Sequence, residues 1–268
     1  MKVQRLRVTF TRGSELQYIT HLDLMRFWER VLRRADVPIA YSEGFSPHAQ
    51  ISLAAPLAVG TTSEAELMDV FLAERMTPRA FLQTVSAQLP AGVEVRSVQE
   101  VALSLPALQA AVRFAEYVVD VGAPAARDDG EDRGWRMDDG GDAHPTSNIE
   151  PPRSAAGEGS DLIERARGAV AAFLAAEAVP WEHRREDEVR SYDIRALVAD
   201  MRVEGATADG GLRLWMRLKN DNSGSGRPEQ VVAALGLPAP VRIHRTALVL
   251  AETSPARQAW RARGRFAS

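Results

Sequence analysis

Ser42, Glu43, Phe45 and His48 crowd into the run Tyr41-Ser42-Glu43-Gly44-Phe45-Ser46-Pro47-His48, punctuated by one glycine and one proline. These residue types supply a hydroxyl, a carboxylate, an aromatic stacking face and an imidazole whose charge changes near neutral pH. Loops so equipped tend to carry function, and a plain connector needs neither the length nor the ring. Two chemistries stay open. His48, oriented by Glu43, would serve as an acid–base pair for hydrolysis or RNA cleavage. The same groups would equally serve to bind a ligand or brace the loop.

A second constellation precedes the loop. Thr20-His21-Leu22-Asp23-Leu24-Met25-Arg26 opens a helical pattern in which Arg26, Arg30, Arg33 and Arg34 recur at i, i+4, i+7 and i+8, on one face. Arginine's planar fork suits phosphate as well as carboxylate, so this stripe beside Phe45 and His48 reads as an electrostatic track with a stacking platform for single-stranded nucleic acid. The alternative is a solvated face paired with Glu29 and Asp36. His21 and Asp23, two apart, suit a local hydrogen bond and not a pair of metal ligands. Ser63-Glu64-Ala65-Glu66 sets two carboxylates either near the loop or on a solvated edge. In the second half, Asp193-Ile194-Arg195 closes a stretch of mixed charge that reads as an interface or an ion-pair network. Lys219 to Glu229 is a glycine-bearing loop leading into a helix whose N-terminus could attract an anion. It is not a P-loop, because Lys219 precedes the glycines and no Gly-Lys-Ser/Thr occurs.

Composition bounds what these groups can do. The 268 residues contain no cysteine, which excludes disulfides, thiolate zinc sites and an iron–sulfur cluster held by this chain. Metal and radical chemistry would therefore reside in a partner. The first ten residues alternate like a strand and lack an apolar leader core, and no run approaches bilayer length, so a cytoplasmic protein without membrane partners is expected. Charge is unevenly spread: residues 162–268 hold 17 Lys/Arg against 13 Asp/Glu, whereas residues 122–161 hold 4 against 10. A basic C-terminal half is compatible with a phosphate-bearing partner or with ordinary solvated surface.

The elements that must hold these groups follow from periodicity. Residues 3–11 alternate as a strand, and 22–35 form a helix with Thr20 as its N-cap. Strands are predicted over 37–41, 50–57, 66–73 and 93–101, with a helix opened by Thr77-Pro78 and running to 89. The order β-α-β-β-α-β is that of a ferredoxin-like unit. After a strand over 111–121, the stretch 122–161 is rich in Asp, Gly, Pro and Ser and reads as a disordered acidic insertion, with Trp135 exposed. A helix over 162–178, strand-like runs over 181–200 and 212–219 with a short helix near 194–201, a helix over 228–235 and a strand over 241–250 repeat the plan. The predicted fold is α+β: two tandem ferredoxin-like (βαββαβ) units with antiparallel sheets, one over 1–105 and one over 106–255 interrupted by the insertion. A flexible tail follows over 256–268.

Tyr18, the His21–Arg26 helix start, the Tyr41–His48 loop, Pro56-Leu57, Gly60 and Ser63–Glu66, together with Asp193-Ile194-Arg195 and Arg227-Pro228-Glu229, resemble the bacterial radical-SAM-linked protein family. That family is an uncharacterised domain found fused to, or encoded beside, radical-SAM proteins, often near genes for RNA processing and ribosomal proteins. The resemblance spans nearly the whole chain apart from the acidic insertion, which departs from the compact family pattern, and the tail. It implies an accessory role. S-adenosylmethionine and the iron–sulfur cluster would belong to the radical-SAM partner, and this chain would carry no cofactor.

The expected function is thus a non-catalytic accessory protein that works with a radical-SAM enzyme and binds an RNA or RNA-linked substrate. The expected contacts are His21, Asp23, Arg26, Arg30, Arg33, Tyr41, Ser42, Glu43, Gly44, Phe45, Pro47, His48, Asp193 and Arg195. Two alternatives stand beside it: a metal-independent ferredoxin-like RNA endonuclease using His48 with Glu43, and a structural interaction module.

Overall fold

The computed structural model describes residues 1–122, 155–185 and 188–251. The expected tail, Trp135 and most of the expected acidic insertion lie outside these residues. The protein is a mixed α/β molecule with a large, mostly antiparallel sheet and few helices.

In the first half the strands are β1 (Gln4–Arg12), β2 (Ile51–Leu53), β3 (Thr61–Leu72) and β4 (Val95–Val101). The helices are α1 (His21–Arg34) and α2 (Pro78–Ser86). Thr20 and Thr77 cap the two helices through their side chains, and Pro78 occupies the first helical turn, where its missing N–H leaves no bond unmade. β1 buries Leu6, Val8 and Phe10 against Leu24, Trp28 and Leu32 of α1 and Phe81 and Val85 of α2. Phe10 and Trp28 meet edge to face, 4.8 Å apart. β1 is flanked by β3 and β4, and β2 pairs β3, all antiparallel.

The short α3 (Leu108–Ala111) leads into β5 (Val112–Val121). Next come α4 (Ala155–Ala175), β6 (Pro180–Arg185), β7 (Glu188–Asp193), β8 (Val198–Ala206), β9 (Leu212–Asp221), β10 (Gly224–Ser225), α5 (Pro228–Ala234) and β11 (Pro240–Leu250). Leu212, Leu214, Met216 and Leu218 of β9 alternate inward, against Leu162, Ala166, Val170 and Phe173, which recur along one face of α4. β5 lies between β9 and β11, and β8 pairs the far edge of β9, again all antiparallel.

Four expectations need correction. The halves do not hold separate sheets: β11 pairs β5 on one side and β3 on the other, so both halves share one nine-stranded sheet, ordered β9-β5-β11-β3-β1-β4 across its middle. The β11–β3 pairing is parallel, through Ile243–Thr61, His244–Thr62 and Arg245–Ser63. Second, β3 starts at Thr61 rather than 66, because Glu66, which reads as a surface residue, is buried against Arg245. Third, residues 181–200 are not one run: β6 and β7 pair only each other, and the following segment becomes an edge strand, β8. Helix α4 also begins inside the span expected to be insertion.

Candidate nucleic-acid interface

The Tyr41–His48 loop projects from the edge of β3. Ala40 donates its N–H to the Phe71 carbonyl (2.8 Å) and Phe71 donates to the Gln50 carbonyl (3.0 Å), so the chain leaves and returns at one rung. Above that stem, Tyr41 bridges Ala49, the Ser42 N–H donates to the His48 carbonyl (2.9 Å), and the His48 N–H donates to Ser42 Oγ (2.9 Å). Gly44 sits at φ +124°, a backbone region closed to residues with a Cβ. Ser42 therefore ties the loop and Gly44 turns it. The turn delivers Phe45 to the tip, wholly exposed, with Tyr41, Glu43, Pro47 and His48 exposed around it. An exposed phenylalanine contributes nothing to a core and offers both faces for stacking. No hydrogen bond joins Glu43 to the His48 ring among the described residues, so the orienting pair that cleavage would need is not assembled.

Helix α1 connects this loop to the other end of the sheet. It begins beyond Arg12, at the end of β1 that pairs with Ser63, and ends near the turn that carries the chain back to Ile39 beside Leu72. Its arginine face is exposed. Arg26 lies 3.5 Å from Asp23, whereas Arg30, Arg33 and Arg34 make no side-chain hydrogen bond or ion pair with a described residue. Neither Glu29 nor Asp36 pairs with them, so the solvated ion-pair alternative lacks its pairs. Asp23 serves the helix: Thr20 donates its hydroxyl to Asp23 Oδ2 (2.7 Å), and this bond holds the carboxyl below its ordinary range. His21 opens the same turn and is half-buried.

Asp193 and Arg195 do not join this site. Asp193 Oδ1 accepts from the N–H groups of Val179 (2.8 Å) and Arg195 (2.9 Å). The Arg195 guanidinium donates to the carbonyls of Leu174, at the end of α4, and Val198. Both brace the junction of β7, α4 and β8, and the strands β9, β5 and β11 stand between β8 and β3. Glu66 is likewise internal, paired with Arg245. Arg227 precedes α5, which at seven residues is too short to present an anion site.

Sequence reasoning missed a cleft of about 890 Å³ at the opposite end of β3, lined by Tyr18, Thr62, Glu64, Arg96, Arg242 and His244 among others. At a rise of roughly 3.3 Å per residue, the nine residues from Thr62 to Phe71 put it about 30 Å from the loop. His244 Nδ1 lies 2.7 Å from Thr62 Oγ1. Burial, with nearby Arg242, lowers the His244 pKa. Its neutral form is therefore favoured in the folded state, and its contribution to stability is complete above the ordinary value of about 6.5 and shrinks as the pH falls below it. Thermal unfolding from pH 7.5 down to pH 5 is expected to lose less midpoint in His244→Gln than in the unmodified protein; parallel pH curves would contradict this.

Among the described residues no helix is long and apolar enough to cross a membrane, and no group of three or more His, Asp or Glu could hold a metal ion. No curated protein matches the chain. A chain in a crystal structure of a Cbf5-Nop10-Gar1 complex is similar at 8% identity and a TM-score of 0.41, with 92% of this chain covered; the match spans about half of that chain, 49%. A family model described as an uncharacterized protein conserved in bacteria (DUF2344) matches residues 5–228, and the chain belongs to that family.

Proposed function

We propose that this protein is a non-catalytic accessory factor that binds single-stranded RNA, or an RNA-linked substrate, along α1 and the Tyr41–His48 loop, in the service of a radical-SAM enzyme. The observation that carries the reading is Phe45, fully exposed at the tip of a tied loop, together with a helix face whose Arg30, Arg33 and Arg34 have no side-chain partner among the described residues. Unpaired guanidinium groups supply phosphate contacts and the ring supplies a sequence-tolerant stacking face, which is the combination that single strands require. Helix α1 ends near the turn that leads into the loop, and on this reading one RNA strand would contact both the cations and the aromatic tip.

The finer fold reading belongs to the same proposal. Each half runs fourth, first, third, second across its strands, β4-β1-β3-β2 and β11-β5-β9-β8, with every neighbouring pair antiparallel. That order supports two ferredoxin-like units, the second carrying the β6–β7 hairpin as an insertion. The radical-SAM partner rests on the resemblance of the loop and helix motifs, and it would hold the S-adenosylmethionine and the cluster that a cysteine-free chain does not ligate.

Binding of a labelled single-stranded RNA pool tests the reading. Arg30→Glu with Arg33→Glu is expected to weaken binding about 100-fold at low salt, and Phe45→Ala about tenfold, with the fold intact because all three side chains are exposed. Unchanged binding in both variants would remove the RNA interface. Affinity purification from cells followed by mass spectrometry tests the partner, and the absence of any radical-SAM protein would remove that part.

A further inference from the structure

The cleft at the far end of the sheet has no part in the surface just described. Four strand ends build it: the end of β1 at Thr11 and Arg12, and the starts of β3, β4 and β11. With neighbouring strands about 4.8 Å apart, those four span roughly 14 Å, and the volume falls in the range of small-molecule sites.

One wall is held by a device that packing alone does not call for. Arg12 is buried to 1% exposure, and its guanidinium donates to the carbonyls of Leu16 (2.9 Å), Gln17 (2.9 Å) and Ile19 (2.7 Å). The Gly60 N–H donates to the Gln17 carbonyl as well (2.7 Å). Between these anchors stands Tyr18, 73% exposed. A fully buried arginine thus fixes a short segment so that an aromatic ring stands at the cleft instead of in a core, a pre-organised stacking face.

The floor is polar and ordered. On the parallel pair β11–β3, His244 and Thr62 form the central rung, while Arg242 lies two residues before His244 and Glu64 two residues after Thr62, on the same side by strand alternation. Arg242 is a cation with charge to offer. Its nearest acid, Asp120, already receives the fork of Arg213 (2.6 and 3.0 Å), while Arg242 stands 3.7 Å away and over half exposed. Arg96, by contrast, is matched by Glu94 at 3.2 Å.

We infer that this cleft binds a nucleoside phosphate, its base against Tyr18, its phosphate on Arg242 and its sugar hydroxyls facing the His244–Thr62 rung and Glu64. An aromatic face, a half-exposed guanidinium that shares its carboxylate with Arg213, and hydrogen-bonding side chains within one nucleotide-sized cleft match the three parts of such a ligand. The same unit arrives either as a free nucleotide or as the phosphorylated end of an RNA chain.

Calorimetric titration of the full chain with AMP, with UMP and with an RNA tetranucleotide carrying either a 5′-phosphate or a 5′-hydroxyl tests the inference. The mononucleotide arms contain no RNA, so their outcome is separate from the fate of the α1 interface. Saturable mononucleotide binding is expected, weakened about tenfold or more by Arg242→Glu and about tenfold by Tyr18→Ala, with unfolding midpoints unchanged because both side chains are exposed. A tetranucleotide that binds tighter with its phosphate than without it identifies an RNA end as the source, and mononucleotides that bind as tightly as either tetranucleotide identify a free nucleotide. Absence of heat from every probe at millimolar concentration, or equal affinity in Arg242→Glu, overturns the inference.

Discussion

Arg245→Leu is expected to cost the folded state about 3–5 kcal/mol, because it takes from the buried Glu66 carboxylate its hydrogen-bonding partner and leaves it only the more distant charge of Arg12. The Arg245 side chain is fully buried on β11 and that of Glu66 on β3 is 3% exposed. Arg245 Nε and Nη2 donate to Glu66 Oε1 (2.8 Å) and Oε2 (2.5 Å), and Nη1 and Nη2 also reach the carbonyls of Pro56 (3.1 Å) and Ala55 (3.3 Å). This cluster sits where the strand that completes the second half is laid against the first, so its loss acts on the seam of the continuous sheet. Urea unfolding measures the loss. Arg245→Leu with Glu66→Leu should recover part of it, since neither member of the pair is left unmatched and the buried Arg12, though it loses the nearby carboxylate, keeps its carbonyl partners. A single variant within about 1 kcal/mol of the unmodified protein would show that the seam does not depend on the pair.

Asp69→Ala is expected to be comparably severe, about 3–5 kcal/mol, for the mirror-image reason. Asp69 is fully buried and accepts from Arg5 Nε (2.9 Å) and from Arg7 Nε (2.8 Å) and Nη2 (3.0 Å). Arg5, itself 2% exposed, also donates to Asp69 through Nη2 (2.5 Å) and reaches the carbonyls of Leu105 (2.8 Å) and Pro106 (2.9 Å). Removing the carboxylate strands one guanidinium inside the protein and loosens the segment between β4 and α3 that it fastens. Besides the drop in stability, faster amide exchange is expected at Leu105 and Leu108. Stability within about 1 kcal/mol of the parent, with exchange unchanged, would contradict it.

How much of this was legible in the amino-acid order depends on the range of the interaction. Helix α1 could be read from its period and its Thr20 cap, α2 from Thr77-Pro78, and β1 and β9 from strict alternation, because those signals lie within a few residues. The exposed loop was legible for the same reason: Gly44 and Pro47 mark the turn and Phe45 stands out among polar residues. The single sheet was not legible, since it rests on Arg245 and Glu66, 179 positions apart. Glu64 and Glu66 disguised the first residues of β3, and Asp200, Arg202 and Glu204, facing outward on an edge, disguised β8. Gly157 and Gly159 masked the start of α4. The motif Asp193-Ile194-Arg195 was found, but its local hydrogen bonds to Val179 and Leu174 give it a bracing role that residue type alone does not distinguish from ligand binding. The cleft escaped notice because its lining comes from four strand ends scattered from Thr11 to His244.

The central claim, that α1 presents phosphate-binding cations to single-stranded RNA, is tested most directly by the salt dependence of RNA affinity in the unmodified protein and in Arg30→Glu with Arg33→Glu. Each phosphate neutralised contributes about −0.7 to the slope of log K against log salt for a single strand, so deleting two contacts is expected to make the slope shallower by about 1.4. A slope near zero in the unmodified protein, or identical slopes in the two proteins, would contradict the account.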